Sequence, residues 1–454
     1  MPVSRKMKRK QRIALIWLML SAGLSIFWGH SIERAFPAGM FDFKGPYYFA
    51  RCLLLHRDPY QAGEPLRVYQ EEGGDHSLLP EPLHPVLSFN MYLPTAYLLT
   101  APFAMFSWGT ARLLWISFAS GAFVLAALLM WRLARDHAPG ISLLLLCLVL
   151  ANCEILFATG TVTGIVVSLC VVALWCFLEE RFVVAGIVCL AVALAIKPHD
   201  AGWIWLFFLL SGGVYRKRAL QTMALTAALG LPVILWVTQV SPHWMQELHS
   251  NLQAASSPAG NCNPGPANPH FASNPEMVID LQSALSVFRD DPRIYNLASY
   301  LICGPLLLAW SIRTLKTRNS RTKTWLALAA LVPLAMLASY HRPYDAKLLL
   351  LVAPACALLW AEGRPIRWVA LLLNAAGIVL TADVPLIILE LLNNHFQVST
   401  AEISGKFITV LLLRPTPLVL LVMGCFNLWI YLRHDLTESA AQEQRESQLA
   451  PIPA

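Results

Sequence analysis

The stretch "TARLLWISFASGAFVLAALLMW", residues 110–131, decides the fold class of this chain. It has a single charged residue, Arg112, and it matches the roughly 20 apolar residues that a helix needs to cross a bilayer. Similar apolar runs lie near 13–29, 92–107, 141–158, 162–178, 182–196, 200–214, 219–240, 294–312, 324–340, 346–361, 366–382 and 407–432. The sequence therefore predicts an all-α polytopic membrane protein with about 11–13 transmembrane helices.

Composition supports this class. The chain has 454 residues, of which 57% are hydrophobic and 13% are charged, whereas soluble domains carry about 25% charged residues. The net charge of +7 is concentrated in basic clusters at 5–12, 216–218 and 313–323, next to apolar runs. Basic clusters in such places are typical of cytoplasmic anchors. The charge therefore does not indicate a nucleic-acid partner.

Charge also predicts the orientation and the domain organisation. With the basic clusters inside, the polar loops at about 30–91, 241–293 and 383–406 all face outside. The number of membrane crossings between the N-terminus and the basic cluster at 216–218 then does not match this orientation. One segment must be re-entrant or wrongly bounded, and the short run 92–107 is the candidate. We expect one multi-span unit over 1–435 and a polar tail over 436–454, which is disordered and cytoplasmic.

The stretch "FDFKGPYYFARCLLLHRDPYQ", residues 41–61, contains the first group of candidate functional residues. Asp42 is a candidate site residue, although a helix N-cap or a solvated loop position would be the better explanation if it stood alone. Tyr47 and Tyr48 are predicted to lie on a short amphipathic helix at the membrane surface, where their rings would bind substrate. Asp58 begins a turn signature and is a further candidate for substrate binding.

Two more polar groups interrupt or flank apolar runs. Tyr92 lies at the mouth of the run 92–107, where an interfacial aromatic residue is the alternative interpretation. In "AIKPHDAGW", residues 195–203, Lys197 and His199 are candidates for phosphate and substrate binding, and the small break "ATGTVTG" at 158–164 separates two runs. Ionisable groups at membrane depth are usually functional, but side chains that reach from a helix end to the interface are the alternative.

The segment "SYHRPYDAKLLLLVAPA", residues 339–355, holds the densest polar cluster. His341, Arg342 and Lys347 are candidates for binding a phosphate, because arginine contacts phosphate through two donors and lysine acts as a point charge. Asp345 is a candidate for substrate binding. Mutual neutralisation of Asp345 with Arg342 or Lys347 is the alternative.

These motifs, in this order, resemble one family. The chain is similar to the polyprenol-phosphate-mannose-dependent mannosyltransferases, glycosyltransferase family 87. The motifs that carry the similarity are Asp-Phe, Tyr-Tyr and Asp-Pro-Tyr, the Tyr-x-Pro segment, the small turn, Lys-Pro and the late His/Asp cluster. The resemblance implies a C-type glycosyltransferase fold, a donor sugar on a polyprenyl phosphate and Asp42 as general base. The chain departs from the family pattern at Thr161 and Thr163.

The expected function is transfer of a hexose, mannose by this resemblance, to an acceptor hydroxyl at the outer face of a bacterial-type inner (plasma) membrane. The expected partners are the polyprenyl-phosphate sugar, a glycan or lipid acceptor, and membrane lipids. We expect no cofactor, no metal ligands and no divalent cation, and the sequence has no glycine-rich nucleotide loop. The alternatives are a transporter or flippase of a lipid-linked glycan and an inactive binder of polyprenyl phosphate.

Overall fold

The computed structural model of the chain describes residues 5–35, 39–74, 87–258, 260, 262–266, 268, 278–317, 320–363, 365–383, 388, 395 and 402–449. The described residues form helices and connecting segments without a strand. The first ten α-helices are α1 Arg5–Ala35, α2 Phe41–Leu54, α3 Glu64–Glu71, α4 Tyr97–Ala104, α5 Trp108–Ala134, α6 Pro139–Leu150, α7 Glu154–Thr159, α8 Thr163–Leu178, α9 Val183–Ile196 and α10 Pro198–Leu210. The remaining α-helices are α11 Gly213–Val240, α12 Trp244–Ala255, α13 Leu281–Ser286, α14 Pro292–Lys316, α15 Arg321–Ala338, α16 Ala353–Ala361, α17 Ile366–Leu380, α18 Ile403–Ile408 and α19 Pro415–Leu449.

Seven helices in the described part of the chain are long and apolar enough to cross a membrane. They are Gln11–Ala35, Trp108–Ala134, Pro139–Thr159, Gly213–Val240, Pro292–Lys316, Arg321–Ala338 and Pro415–His434. Four shorter apolar helices accompany them, at Thr163–Leu178, Val183–Ile196, Ile366–Leu380 and Ile403–Leu413. The all-α polytopic membrane class predicted from the apolar runs is confirmed.

The core is built around α15. Every residue from Thr324 to Leu337 on this helix is buried, as expected for a helix that is apolar on all sides. It packs against α14 and α19. A second group of packed helices consists of α5, α8 and α9. A 3₁₀ helix, Asp345–Val352, packs against α8 and α15, so the polar segment that precedes it is held between the two groups.

The run 92–107 is not a long helix. It contains a 3₁₀ turn, Pro94–Ala96, and the eight-residue helix α4. An α-helix of eight residues is about 12 Å long and cannot cross a bilayer. This segment is therefore shorter than a membrane span, as are the apolar helices Thr163–Leu178 and Val183–Ile196.

One expectation differs from the structure. The helix at residues 41–54 does not leave an apolar face open to a membrane surface, because ten of its residues, Phe43 to Leu53 without Arg51, are buried within the protein. Helix α19 extends to Leu449, and the disordered, cytoplasmic tail expected over 436–454 stays a prediction. Most of the predicted loop 383–406 and part of 241–293 lie outside the described residues.

Candidate functional site

Lys197 lies at the centre of a polar cluster between α9 and α10. The residue before a proline avoids the helical conformation, so α9 ends at Ile196 and Lys197 is extended, with φ −143° and ψ 77°. Its amino group donates to Thr163 Oγ1 at 2.7 Å and to Asp345 Oδ1, and it lies 3.0 Å from Asp200 Oδ2. These three acceptors match the three donors of an ammonium group. Lys197 therefore joins α8, α10 and the 3₁₀ helix.

Asp345 fixes the other side of this cluster. Its Oδ1 accepts hydrogen bonds from Thr163 and Lys197, and its Oδ2 accepts one from the backbone N–H of Arg342 at 2.8 Å. Both carboxylate oxygens thus accept hydrogen bonds from other groups of the protein. The neutralising partner of Asp345 is Lys197, which the sequence places 148 residues away, rather than Arg342 or Lys347. The geometry gives Asp345 a positioning role.

Asp42 approaches the same cluster from α2. The backbone N–H of Met40 donates to Ala158 O at 2.9 Å and ties the start of α2 to the end of α7. The side chain of Asp42 is partly exposed, and its Oδ2 is buried without a hydrogen-bond partner among the described residues. Burial raises the pKa of the Asp42 carboxyl to about 6, and nearby Arg342 is the strongest influence that lowers it. One oxygen of Asp42 is therefore available to accept a proton.

Gly160 allows α2 to come this close. It has φ +67°, and a Cβ at this position would lie 2.8 Å from Met40 Cε and 3.0 Å from Phe43 Cβ. Its carbonyl oxygen accepts a hydrogen bond from Trp115 Nε1 at 2.9 Å. The positive φ and the close approach both favour glycine.

We therefore expect Gly160→Ala to displace the start of α2 and to lower both stability and activity. An overpacked, strained position of this kind costs about 1–3 kcal/mol. Thermal unfolding in detergent would measure the loss. The matched control is Gly121→Ala on α5, where an added Cβ meets nothing within 4 Å and alanine is the better helix former. Equal melting temperatures for the two variants would contradict this assignment.

Arg342 is the cation whose charge acts most strongly on Asp42. Its side chain is partly exposed, and its Nε donates to the Tyr340 hydroxyl at 2.5 Å. Tyr92, in the segment that precedes α4, lies near the same two residues, Asp42 and Arg342. The charge of Asp42 adds to burial in raising the pKa of the Tyr92 phenol. The predicted candidates Asp42, Arg342 and Tyr92 are thus brought together, although they lie far apart in the sequence.

The histidines form a third part of the site. His341 is buried, with Nδ1 2.7 Å from Ser339 O and Nε2 3.2 Å from Asp200 Oδ1. His199 is more open, with a side chain 45% exposed, and its Nε2 lies 3.8 Å from the same oxygen. One ligand atom from each of His199, Asp200 and His341 lies within 4.8 Å of the others, so the three residues could hold a metal ion. Lys197 competes for Asp200, because its ammonium group is already paired with that carboxylate.

Other sequence candidates lie away from this cluster. Tyr47 and Tyr48 are buried in the core, where both rings pack against Trp108 and the Tyr47 hydroxyl donates to Phe106 O at 2.8 Å. They were expected at an interface, but their face of α2 is covered. Asp58 accepts hydrogen bonds from the N–H groups of Tyr60 and Gln61 and is a turn residue.

Lys347 is separated from Asp345 despite being two residues away. Its Nζ donates to Asn152 O at 2.5 Å and Thr381 O at 3.2 Å, and it pairs with Asp383 at 3.4 Å. Residues two apart on a 3₁₀ helix, with three residues per turn, point in different directions. Lys347 therefore belongs to a separate buried ion pair. The predicted phosphate-binding cluster of His341, Arg342 and Lys347 does not form as one group.

Thr159 and Thr163 were not predicted as site residues from the sequence. Thr163 donates to Asp345 and accepts from Lys197, and Thr159 contributes to lowering the pKa of Asp42 against the effect of burial. The signal was present in the polar break "ATGTVTG" between two apolar runs. A hydroxyl at such a break can serve a buried ion pair, which the break alone does not reveal.

Comparison with known proteins identifies the family. The model of glycosyltransferase family 87 matches residues 90–340, which is more than half of the chain. The matched range includes Thr163 and Lys197 and begins after Asp42, so the family match does not extend to Asp42. No curated protein and no solved structure matches the chain. With its membrane-length helices, the chain belongs to glycosyltransferase family 87 and is a membrane glycosyltransferase.

Proposed function

We propose that this enzyme transfers a hexose, mannose by the resemblance in its motifs, from a polyprenyl phosphate to an acceptor hydroxyl. Asp42 acts as the general base. The reaction takes place at the outer face of a bacterial-type plasma membrane, as the basic clusters on the opposite loops favour. The observation that carries the proposal is the position of Asp42: its Oδ2 is buried with no hydrogen-bond partner in the described part of the chain, and the charge of Arg342 acts on its carboxyl.

The chemistry needs two opposite charges. The acceptor oxygen attacks C1 of the sugar, and its proton passes to Asp42. The bond between C1 and the phosphate oxygen breaks, and its electron pair leaves with the phosphate. A base within hydrogen-bond reach supports the first event, and a fixed cation stabilises the charge that develops in the second. Asp42 and Arg342 supply these two charges from different elements.

The remaining polar residues divide between positioning and binding. Lys197 and Asp345 use their hydrogen-bonding groups on each other and on Thr163, so they position the segment that carries Arg342. His199, with its exposed ring, and Tyr92, beside Asp42, are left to contact the sugar or the phosphate. His341 contacts Asp200 through Nε2 and so helps to position that carboxylate.

The test is transfer by the purified protein in liposomes. Radiolabelled polyprenyl-phosphate mannose, polyprenyl-phosphate glucose and a nucleotide sugar are offered in parallel, with membrane glycans and lipids as acceptors. We expect a labelled product with a lipid-linked donor and none with the nucleotide sugar. Transfer from the nucleotide sugar alone would overturn the donor class. Movement of an intact lipid-linked glycan across the membrane without transfer would favour a flippase.

The pH dependence of the reaction tests the base separately. The raised pKa of Asp42, about 6, means that the free enzyme gains its base form as pH rises through that value. We expect kcat/KM to reach a plateau above pH 7 and to fall to about one tenth of the plateau at pH 5. An acid limb centred near pH 4, the range of an ordinary carboxyl, would contradict burial of the base.

A further inference from the structure

A cavity lies on the side of α2 opposite the polar cluster that contains Asp42. It has a volume of about 760 Å³ and is formed between the end of α1 and the beginning of α5. Lys44 lines this cavity, whereas Asp42 faces the polar cluster already described. Residues i and i+2 of an α-helix are about 200° apart around the helix axis, so the side chains of Asp42 and Lys44 point to opposite sides. We call this space the α1–α5 cavity.

The α1–α5 cavity is positively charged. Its lining includes Arg34, Lys44 and Arg112, and Glu33 is the one carboxylate among the described residues that line it. Glu33 is buried and already engaged, since its oxygens lie 2.6 Å from Arg112 and 3.4 Å from His30. Among the described residues, Arg34 and Lys44 make no ion pair, so they contribute positive charge to the cavity.

Lys44 is the most informative of these residues. It is 6% exposed, and its Nζ lies 5.5 Å from the centre of the Trp108 ring and 5.6 Å from that of Tyr69. In the part of the chain that the structure describes, it makes no ion pair with a carboxylate. Burying a cation without a counter-charge is costly, and aromatic rings compensate only in part. An anion in the cavity would supply the missing charge.

The surroundings of the cavity indicate where this anion comes from. Leu113, which lines the cavity, is 63% exposed, and Phe27 on the facing helix is 64% exposed. Both lie on helices that are long enough to cross a membrane, so a bilayer around these helices would border the cavity. A molecule with its charge among the cations and its apolar chain along α1 and α5 would fit both parts.

We propose that the α1–α5 cavity binds the phosphate group of a membrane lipid, at a site separated by α2 from the reaction site. Lys44 and Arg34 contact the phosphate, and Arg112 remains paired with Glu33. The lipid chain lies against the exposed apolar residues of α1 and α5. The site stands on its own geometry and does not depend on which sugar the enzyme transfers.

The experiment uses the full-length protein in detergent and a farnesyl phosphate that carries a photoreactive diazirine in its chain. After irradiation, mass spectrometry locates the label. We expect labelled peptides from the end of α1 and from α5 around Leu113. Loss of one hydrogen bond to a charged group weakens binding about tenfold or more, so Lys44→Gln is expected to need at least tenfold more probe for equal labelling there. Lys44→Arg retains the cation and should label as the wild type does.

Controls separate the lipid phosphate from other ligands and from misfolding. Lys217→Gln removes an exposed lysine elsewhere and should change nothing. Arg34→Gln, at an exposed position, gives a second reading if Lys44→Gln fails to fold. Equal labelling by the matching farnesol probe would overturn the proposal. So would Lys44-dependent binding of inorganic phosphate with no lipid labelling at α1 and α5.

Discussion

Asp42→Asn is expected to lower kcat for sugar transfer by roughly 10²–10⁴-fold, the range that general base catalysis contributes. Asparagine has nearly the same shape as aspartate but cannot take up the proton of the acceptor. Because Oδ2 of Asp42 has no hydrogen-bond partner in the described residues, the substitution breaks no hydrogen bond at that oxygen. We therefore expect a folded variant that still binds the lipid donor.

The measurement is single-turnover transfer from the labelled lipid donor, together with donor binding and thermal unfolding of the same preparation. Asp136→Asn is the matched control, because Asp136 has a side chain 56% exposed and pairs only loosely with Arg135 at 3.9 Å. The control should retain wild-type rates. If Asp42→Asn transferred sugar within a factor of a few of the wild type, another group would have to be the base. A variant that lost donor binding as well would indicate a structural role.

Lys197→Met is expected to produce the largest loss of stability. Removing one partner of a buried ion pair costs about 3–5 kcal/mol, because the other charge is left without compensation. Here two carboxylates, Asp200 and Asp345, would lose their common cation. Methionine fills a similar volume, so the effect reports the charge and the hydrogen bonds more than the packing.

Chemical or thermal unfolding in detergent would measure this loss, with Lys217→Met at an exposed position as the control. A triple variant sharpens the test. Adding Asp200→Asn and Asp345→Asn to Lys197→Met removes the uncompensated charges and should recover part of the lost stability. No recovery in the triple variant would show that packing, rather than charge, explains the effect. A stable Lys197→Met protein would show that the cluster is not essential to the fold.

The sequence by itself determined the class of protein. Apolar runs long enough to cross a bilayer are a local property, because each backbone group in lipid must be satisfied within its own helix. The same local reasoning identified Asp42, Tyr92, Arg342 and the Lys-Pro break at 197 as unusual positions. It also indicated the family, which the match over residues 90–340 confirms.

Only the tertiary structure decided which of these residues meet. The Lys197–Asp345 pair spans 148 residues and the Thr163–Asp345 hydrogen bond spans 182, and no local pattern specifies such contacts. Lys347 belongs to a different ion pair from its near neighbour Asp345, because side-chain direction changes within a 3₁₀ turn. Tyr47 and Tyr48 are suited to an interface by chemistry but are buried, since Trp108 packs over their face of α2. Packing between helices depends on the shape of both partners, which one segment of sequence does not contain.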